Sequence, residues 1–296
     1  TLFLTKSSKL LDKTLAGKLI RSECVPNDLS YYQDHPELLP WLKERYFKYM
    51  NIAEPHWLYN DLMHSRMKFY LTKVIDSSPE TIISELTGII EKSKPASDTY
   101  KFLLDYWIGH YQRSKNPDNE LVFKYLATEY YLKGQTPWVE DYKIERLKGQ
   151  INLLRHQFLG DTFLDLSLKD TEENEFTLSD KRNNYQLVIF WDPNCAHCKV
   201  EVPAYHEVYL KYKSNGFTVA AIYKDLMLED WTSFIKEKGL EWIDAVPMPH
   251  GSLFNGDFVV TETPSVFLLD KSGKIIKKRI HAEELDRVLS ELYPKK

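Results

Sequence analysis

The chain has 296 residues, of which 43% are hydrophobic, and its 39 basic and 43 acidic side chains leave a net charge of -4. A chain of this length and apolar content is long for one core, so we expect two globular domains. No basic block suggests a nucleic-acid partner, and no apolar run is long enough to cross a bilayer. The printed sequence contains no signal peptide and begins at Thr1 rather than Met, which is compatible with a targeting segment or lipid anchor removed before it.

The first half of the sequence is patterned for helices. Ser78-Pro79-Glu80 and Asn116-Pro117-Asp118 each place a capping side chain, a first-turn Pro and an early acid in the order typical of a helix start. Apolar residues then recur at helical spacing. The pattern predicts six or seven helices in an all-α domain over residues 1–158, to which we assign the positioning of a partner or substrate. Most of its many aromatic residues are expected to pack between helices, with an aromatic peptide groove as the alternative.

Near Gly160 the pattern changes, because short β-type runs replace the helices. We therefore place a second domain over residues 159–296. Its predicted elements are strands over 162–168, 175–178 and 187–191, a helix starting at a cysteine pair, a strand over 218–223, a helix over 229–238, an irregular stretch over 242–260, strands over 265–269 and 274–280, and a C-terminal amphipathic helix. This order predicts an α/β domain with a central mixed sheet flanked by helices.

Two of the three cysteines form a Cys-x-x-Cys at the predicted junction of strand and helix. A thiol in the first turn of a helix faces unpaired backbone N–H groups, which favour the reactive thiolate. We assign Cys195 as the nucleophile and Cys198 as the resolving thiol. A structural disulfide and half a zinc site are the alternatives, but zinc needs about four ligands and no second pair is present, so we expect no metal and no cofactor beyond the disulfide.

Cys24 has no evident mate and is expected to be a small buried side chain, with a regulatory or resolving thiol as the alternative.

Two polar residues beside the pair are candidates for a supporting role. His197 could donate charge or a hydrogen bond to the Cys195 thiolate, or its ring could simply face water. Glu201 lies one helical turn beyond Cys198, where a carboxylate could accept the Cys198 proton, or it could be an ordinary solvated side chain.

Another candidate is Thr263-Pro264, which directly precedes the strand predicted over 265–269. An X-Pro bond can be cis, although trans is the usual form. A cis bond would turn the Thr263 backbone toward a neighbour and could grip an extended substrate beside the cysteines.

Taken together, these residues carry a family resemblance. The residues that carry it are Trp191, Cys195-Ala196-His197-Cys198, Glu201, Pro203, Thr263-Pro264 and the hairpin Leu269-Asp270-Lys271-Ser272-Gly273-Lys274-Ile275. The region from about 160 to 296 resembles the thioredoxin-fold domain of the TlpA/ResA-like thiol-disulfide oxidoreductases. The first half resembles the helical domain of unassigned function that precedes such domains in Bacteroidetes envelope proteins.

The resemblance implies a thioredoxin-like fold, a cis Thr263-Pro264 bond beside the disulfide, a nucleophilic Cys195 and an acid-base role for Glu201, with Trp191 and His197 in support. It also implies protein thiol or disulfide substrates, a periplasmic or cell-envelope location, and a membrane protein as electron donor.

The sequence also departs from thioredoxins proper. Asn194 stands where they carry a Trp, and Ile189 stands where they carry a buried Asp six residues before the first Cys, so Glu201 becomes the candidate proton acceptor. The Ala-His dipeptide is similar to the pairs of disulfide isomerases and oxidases, which leaves the direction of electron flow open. The alternative functions are a redox-inactive binding or scaffold protein, a peroxide-reducing relative, and a copper carrier that adds His250 or His281 to the two cysteines.

Overall fold

The computed structural model of the protein describes residues 14, 17, 35–48, 50–59, 61–223, 228–248 and 258–294. Cys24 and His250, and the roles considered for them, lie outside these ranges. The chain divides into two compact units, Thr1–Glu140 and Asp141–Lys296, so the helix over 141–153 groups with the second unit. Among the helices in the described ranges, none has the length and apolar content needed to span a membrane.

The first unit is helical in all its described elements. Its α-helices are α1 (Leu39–Arg45), α2 (Leu62–Phe69), α3 (Pro79–Ser93), α4 (Ser97–Gln112) and α5 (Pro117–Leu126). Both predicted helix starts are confirmed: Ser78 Oγ accepts a hydrogen bond from the Thr81 N–H at 3.4 Å, and Asn116 Oδ1 accepts one from the Asp118 N–H at 3.0 Å. These caps satisfy N–H groups that have no partner within the helix.

Aromatic side chains fill the space between these helices. Trp57, Trp107 and Tyr130 are each at most 1% exposed, as expected for aromatics that pack in a core. Trp41 is an exception, since 52% of it is exposed. Packing between helices, rather than a peptide groove, therefore accounts for these three buried rings.

The second unit begins with α6 (Asp141–Leu153) and continues as an α/β fold. Its strands are β1 (Ser167–Asp170), β2 (Glu175–Thr177), β3 (Tyr185–Trp191), β4 (Phe217–Tyr223), β5 (Ile243–Pro247), β6 (Ser265–Asp270) and β7 (Ile275–Lys278). Its later helices are α7 (Ala196–Tyr212), α8 (Leu228–Lys238) and α9 (Ala282–Leu292). The strands form one sheet in the order β2-β1-β5-β4-β3-β6-β7, and its parallel and antiparallel pairs confirm the predicted central mixed sheet.

Helices α7, α8 and α9 contribute to one core cluster, together with alternate residues of β3 such as Leu187, Ile189 and Trp191. The strands β3, β4 and β5 are parallel and step in one direction across the sheet. Since crossovers between parallel strands are right-handed, α7 and α8 lie on the same face. The intervening β3 residues Val188 and Phe190 join a second cluster on the other face.

Strand β5 corrects the prediction of an irregular stretch over 242–260. It pairs in parallel with β4, and Asp244 lies opposite Ala221. The prediction missed it because a carboxylate and a Pro interrupt a short apolar run, a composition that is unfavourable in strands. The first strand also begins later than predicted: β1 starts at Ser167, and Thr162 makes only an isolated bridge to Lys274.

Candidate active site

The cysteine pair lies in the turn that joins β3 to α7. β3 is buried at all but its first residue, which fixes the end of the strand in the core. The chain then reverses at Asp192, whose Oδ1 accepts the Asn194 N–H at 2.7 Å and whose carbonyl accepts the Cys195 N–H at 3.0 Å. Such Asx turns are a common way to enter a helix. The predicted strand-to-helix junction is therefore confirmed, with Cys195 at the N-cap of α7.

Cys195 is half-buried and is a free thiol. Burial acts to raise the pKa of this thiol, but hydrogen bonds from the Cys198 N–H, the side chains of Thr263 and Cys198, and the His197 N–H together lower the pKa below its ordinary value of 9.0. The N–H groups are those that a helix start leaves without intrahelical partners. Cys195 is thus the thiol that ionises more readily.

Cys198 has the opposite environment. It is fully buried, and its burial raises the pKa of its thiol to about 12, with a further contribution from Cys195. Burial disfavours a thiolate because the charge loses its hydration. Cys198 therefore needs a proton acceptor before it can act as a nucleophile.

Thr263-Pro264 lies beside the cysteines, as predicted, and its peptide bond is cis. The register explains the proximity, because Ser265 pairs with Phe190 at the end of β3 and residue 263 therefore extends past the strand toward the turn. The Cys195 Sγ donates to the Thr263 carbonyl at 3.4 Å.

Glu201 lies on the same face of α7 as Cys198 and Tyr205, at spacings of three and four residues. Its side chain is 24% exposed, and Oε1 lies 3.0 Å from His281 Nδ1. The pKa of the Tyr205 hydroxyl is raised, first by burial and then by the charge of Glu201. A carboxylate therefore lies one turn from the buried thiol, within a small polar cluster.

His197 and Trp191 contribute to the site in different ways, the first through its backbone and the second through its buried ring. The His197 ring is exposed and makes no hydrogen bond, ion pair or ring contact with another described residue, so its effect on Cys195 comes through the backbone N–H. Trp191 is fully buried under the turn, with its ring 5.2 Å from that of Phe234. Its role is packing below the cysteines.

Asp244, in β5, and Asp230, which contacts the turn before Cys195, are two acids to which the sequence pattern assigns no role. Asp244 is 5% exposed and accepts a hydrogen bond from Trp242 Nε1 at 3.2 Å, and its burial raises the pKa of the carboxyl well above 3.8. Asp230, on α8, accepts a hydrogen bond from Asn194 Nδ2 at 3.0 Å. The sequence marks only Asp244, because it is a single acidic residue within the apolar run 243–246.

Asn194 and Asp230 both line a pocket of about 360 Å³ beside the turn. The pocket is lined by Pro193, Asn194, Lys199, Asp230, Ser233, Phe234, Glu237 and Lys238. Among the described residues, no group of three His, Cys, Asp or Glu side chains is placed to hold a metal ion.

Comparison with known proteins places this site in a family. The model of the AhpC/TSA family matches residues 159–278. The thiol-disulfide oxidoreductase ResA of Bacillus cereus is 30% identical over 128 residues, which cover 42% of this chain and 73% of the relative. ResA of Geobacillus kaustophilus is 28% identical over 139 residues, covering 46% and 79%.

A solved structure extends the likeness in fold to most of the chain. A thioredoxin-like protein from Bacteroides caccae superposes with a TM-score of 0.63 at 15% identity, covering 87% of this chain and 94% of that one. At this identity the likeness shows the fold alone. The ResA relatives carry the family assignment: the chain belongs to the TlpA/ResA-like thiol-disulfide oxidoreductases and is an oxidoreductase with a thioredoxin-like fold.

Proposed function

We propose that the protein exchanges disulfides with protein substrates through the Cys195-Ala196-His197-Cys198 pair. The observation that carries the proposal is the contrast between the two thiols: Cys195 is half-buried with a lowered pKa, and Cys198 is buried with a raised one. This contrast separates the roles of attacking and resolving thiol.

In the reducing direction, the Cys195 thiolate attacks one sulfur of a substrate disulfide. A Cys195–substrate disulfide forms, and the other substrate sulfur leaves as a thiolate that takes a proton from water. Cys198 then gives its proton to Glu201 and attacks Cys195 Sγ. The Cys195–Cys198 disulfide forms, and the second substrate sulfur leaves with the electron pair and is protonated in turn, so that the substrate gains the two electrons that the enzyme loses. Oxidation of a substrate dithiol follows the reverse path.

Thr263 has a role in placing the substrate. Its carbonyl lies 3.4 Å from Cys195 Sγ, so a segment whose sulfur reaches Sγ passes along the backbone of this residue. Backbone pairing of this kind binds many sequences, because it does not depend on their side chains.

A location in the cell envelope and a membrane protein as electron donor complete the proposal. They rest on the resemblance to the TlpA/ResA-like proteins. No metal or organic cofactor is needed, because the cysteine pair itself carries the two electrons.

The proposal is tested by insulin reduction with dithiothreitol as electron source. The wild type should accelerate precipitation of the insulin chains, and Cys195→Ser should abolish the acceleration. Cys198→Ser, reduced and then mixed with insulin after the dithiothreitol has been removed, should form a mixed disulfide that added dithiothreitol releases. A Cys195→Ser variant that matches the wild type would favour a redox-inactive binding protein. Peroxide consumption by the wild type in place of insulin reduction would instead favour a peroxide-reducing relative.

The direction of exchange is read from the reduction potential of the pair. Hydrogen bonds that stabilise the Cys195 thiolate stabilise the reduced form and so raise the potential. Equilibration with glutathione measures it: a value near about -270 mV indicates a reductant and one near about -120 mV an oxidant.

A further inference from the structure

The segment that leads into α9 closes over the Cys198 face of α7. Tyr205 is 2% exposed, and its hydroxyl donates to the Ile280 carbonyl at 2.6 Å. The next residue, His281, is the N-cap of α9, and its carbonyl accepts the Leu285 N–H at 2.9 Å. The backbone on both sides of the His281 Cα is therefore fixed, by a buried hydroxyl and by the first turn of a helix.

This anchoring matters because the His281 side chain is 79% exposed. An exposed ring on a mobile backbone would hold a partner poorly, since ordering it costs conformational entropy. Here the backbone is already ordered, and Nδ1 lies 3.0 Å from Glu201 Oε1. The imidazole thus restrains one oxygen of a carboxylate that lies one helical turn from Cys198.

The resolving step depends on where this carboxylate points. Cys198 must lose a proton from a buried thiol, and a general base acts only within hydrogen-bond reach of that proton. Glu201 is only 24% exposed; its carboxylate lies next to the buried Tyr205 hydroxyl, and its Oε1 lies 3.0 Å from His281 Nδ1. With one oxygen restrained, the rotation of the carboxylate relative to the thiol is limited.

We propose that His281 is a positioning residue that holds the Glu201 carboxylate for proton transfer from Cys198. The inference rests on the proposed function, and it adds a residue 80 positions away in sequence to the resolving step. It predicts that His281 affects the second half of the exchange and leaves the attack by Cys195 unchanged.

Ellman's reagent separates the two halves with one readout. The reduced protein attacks the reagent through Cys195 and releases one nitrothiobenzoate; Cys198 then loses its proton to Glu201, forms the Cys195–Cys198 disulfide and releases the second. In a Cys24→Ser background, which removes the third thiol of the chain, stopped-flow absorbance should show two phases. In His281→Ala we expect the second phase to slow about tenfold, the equivalent of one hydrogen bond to a charged group, with the first phase unchanged.

His281→Asn is the rescue variant, because its amide N–H can replace Nδ1 as a donor, and it should recover most of the second phase. In Glu201→Gln, where the base is already lost, His281→Ala should cause no further slowing. Glu283→Gln, which removes an exposed charge from the first turn of α9, is the matched control and should behave as the wild type.

Three results would overturn the inference: an unchanged second phase in His281→Ala, equal slowing of both phases, or additive slowing in the double variant. Failure of the proposed function is seen separately, as a wild type that releases nitrothiobenzoate in two phases but does not reduce insulin.

Discussion

Cys195 and Cys198 are separated by only two residues, yet their environments differ because only Cys195 is at the N-cap of α7. The N–H groups of His197 and Cys198 point at Cys195, whereas Cys198 is directed into the core beside Val202 and Tyr205. The same backbone thus stabilises one thiolate and shields the other thiol from water.

The contrast predicts two alkylation profiles. In Cys198→Ser, the reaction of Cys195 with iodoacetamide should reach its plateau at a pH below that of an ordinary thiol, because its pKa is lowered. In Cys195→Ser, Cys198 should react at neutral pH roughly a thousandfold more slowly than Cys195 does in Cys198→Ser. Burial is the main cause of the Cys198 pKa of about 12, and it remains in this variant. Rates measured across pH by mass spectrometry check this, with both variants in denaturant as the control. Coinciding native profiles would contradict the assigned roles.

The sequence predicted the site residues that are linked by local geometry. Cys195, Cys198 and Glu201 follow from helical spacing, and Thr263-Pro264 from its place before a strand. His281 could not be placed beside Glu201 in this way, because a contact across 80 residues depends on how α9 docks. The exposure of the His197 ring was likewise undecided, since either orientation suits the first turn of a helix.

At the level of elements, the site depends on the parallel strands β3, β4 and β5. The sequence predicts β3 and β4, because an apolar β-branched run marks each of them, as Leu187–Ile189 does for β3. β5 was missed because its Asp244 reads as a turn residue, and only tertiary burial among Trp242 and Ala221 makes it part of a strand.

Asp244 gives β5 a pH-dependent stability. Burial raises the pKa of Asp244 well above 3.8, so the folded state binds this proton more tightly than the unfolded state does. The stabilisation is complete below the unfolded pKa and is lost as pH rises toward the folded one, at up to about 1.4 kcal/mol per pH unit. Asp244→Asn keeps an acceptor for Trp242 without titrating. Its stability relative to the wild type should therefore increase from about pH 4 upward, as measured by urea unfolding.

Asp286→Asn is the control of opposite sign. Lys211 contacts this carboxylate at 2.6 and 2.8 Å and lowers its pKa. The free energy of unfolding of the wild type should therefore fall toward that of Asp286→Asn as pH falls. Burial requires the Asp244 carboxyl to be protonated in the folded state. A difference in free energy of unfolding between wild type and Asp244→Asn that does not change with pH would contradict this.

For the whole molecule, the change from helical to β-type pattern predicted two domains but placed their division near residue 159, whereas the compact units divide after Glu140. The difference has a physical basis in the residues just before β1. Gln157 Nε2 donates to the Val259 carbonyl at 3.0 Å, Lys278 Nζ donates to the Gln157 carbonyl at 2.8 Å, and Phe158 is 1% exposed. This segment is therefore fixed to the α/β unit and is not a linker.

Helix α6 is different, because Leu147 is its only buried residue in the structure described. A helix with so few buried contacts opens locally at low cost. Trypsin needs an extended segment on both sides of the bond that it cuts. Lys143 has the exposed Asp141 and Tyr142 before it, whereas the bond after Arg155 is followed by the buried Gln157 and Phe158.

We therefore expect limited trypsin digestion of the native protein to release a C-terminal fragment that begins within α6, after Lys143, Arg146 or Lys148. Replacing these three residues by Gln should slow the first cut at least about tenfold, while Arg155→Gln should leave it unchanged, because opening of α6 and not of the segment around Gln157 limits the cleavage. N-terminal sequencing or intact mass of the fragment checks the prediction. A first fragment that begins at His156 would mean that the chain before β1 is the weak point, and that the contacts of Gln157 with Val259 and Lys278 do not hold it to the sheet.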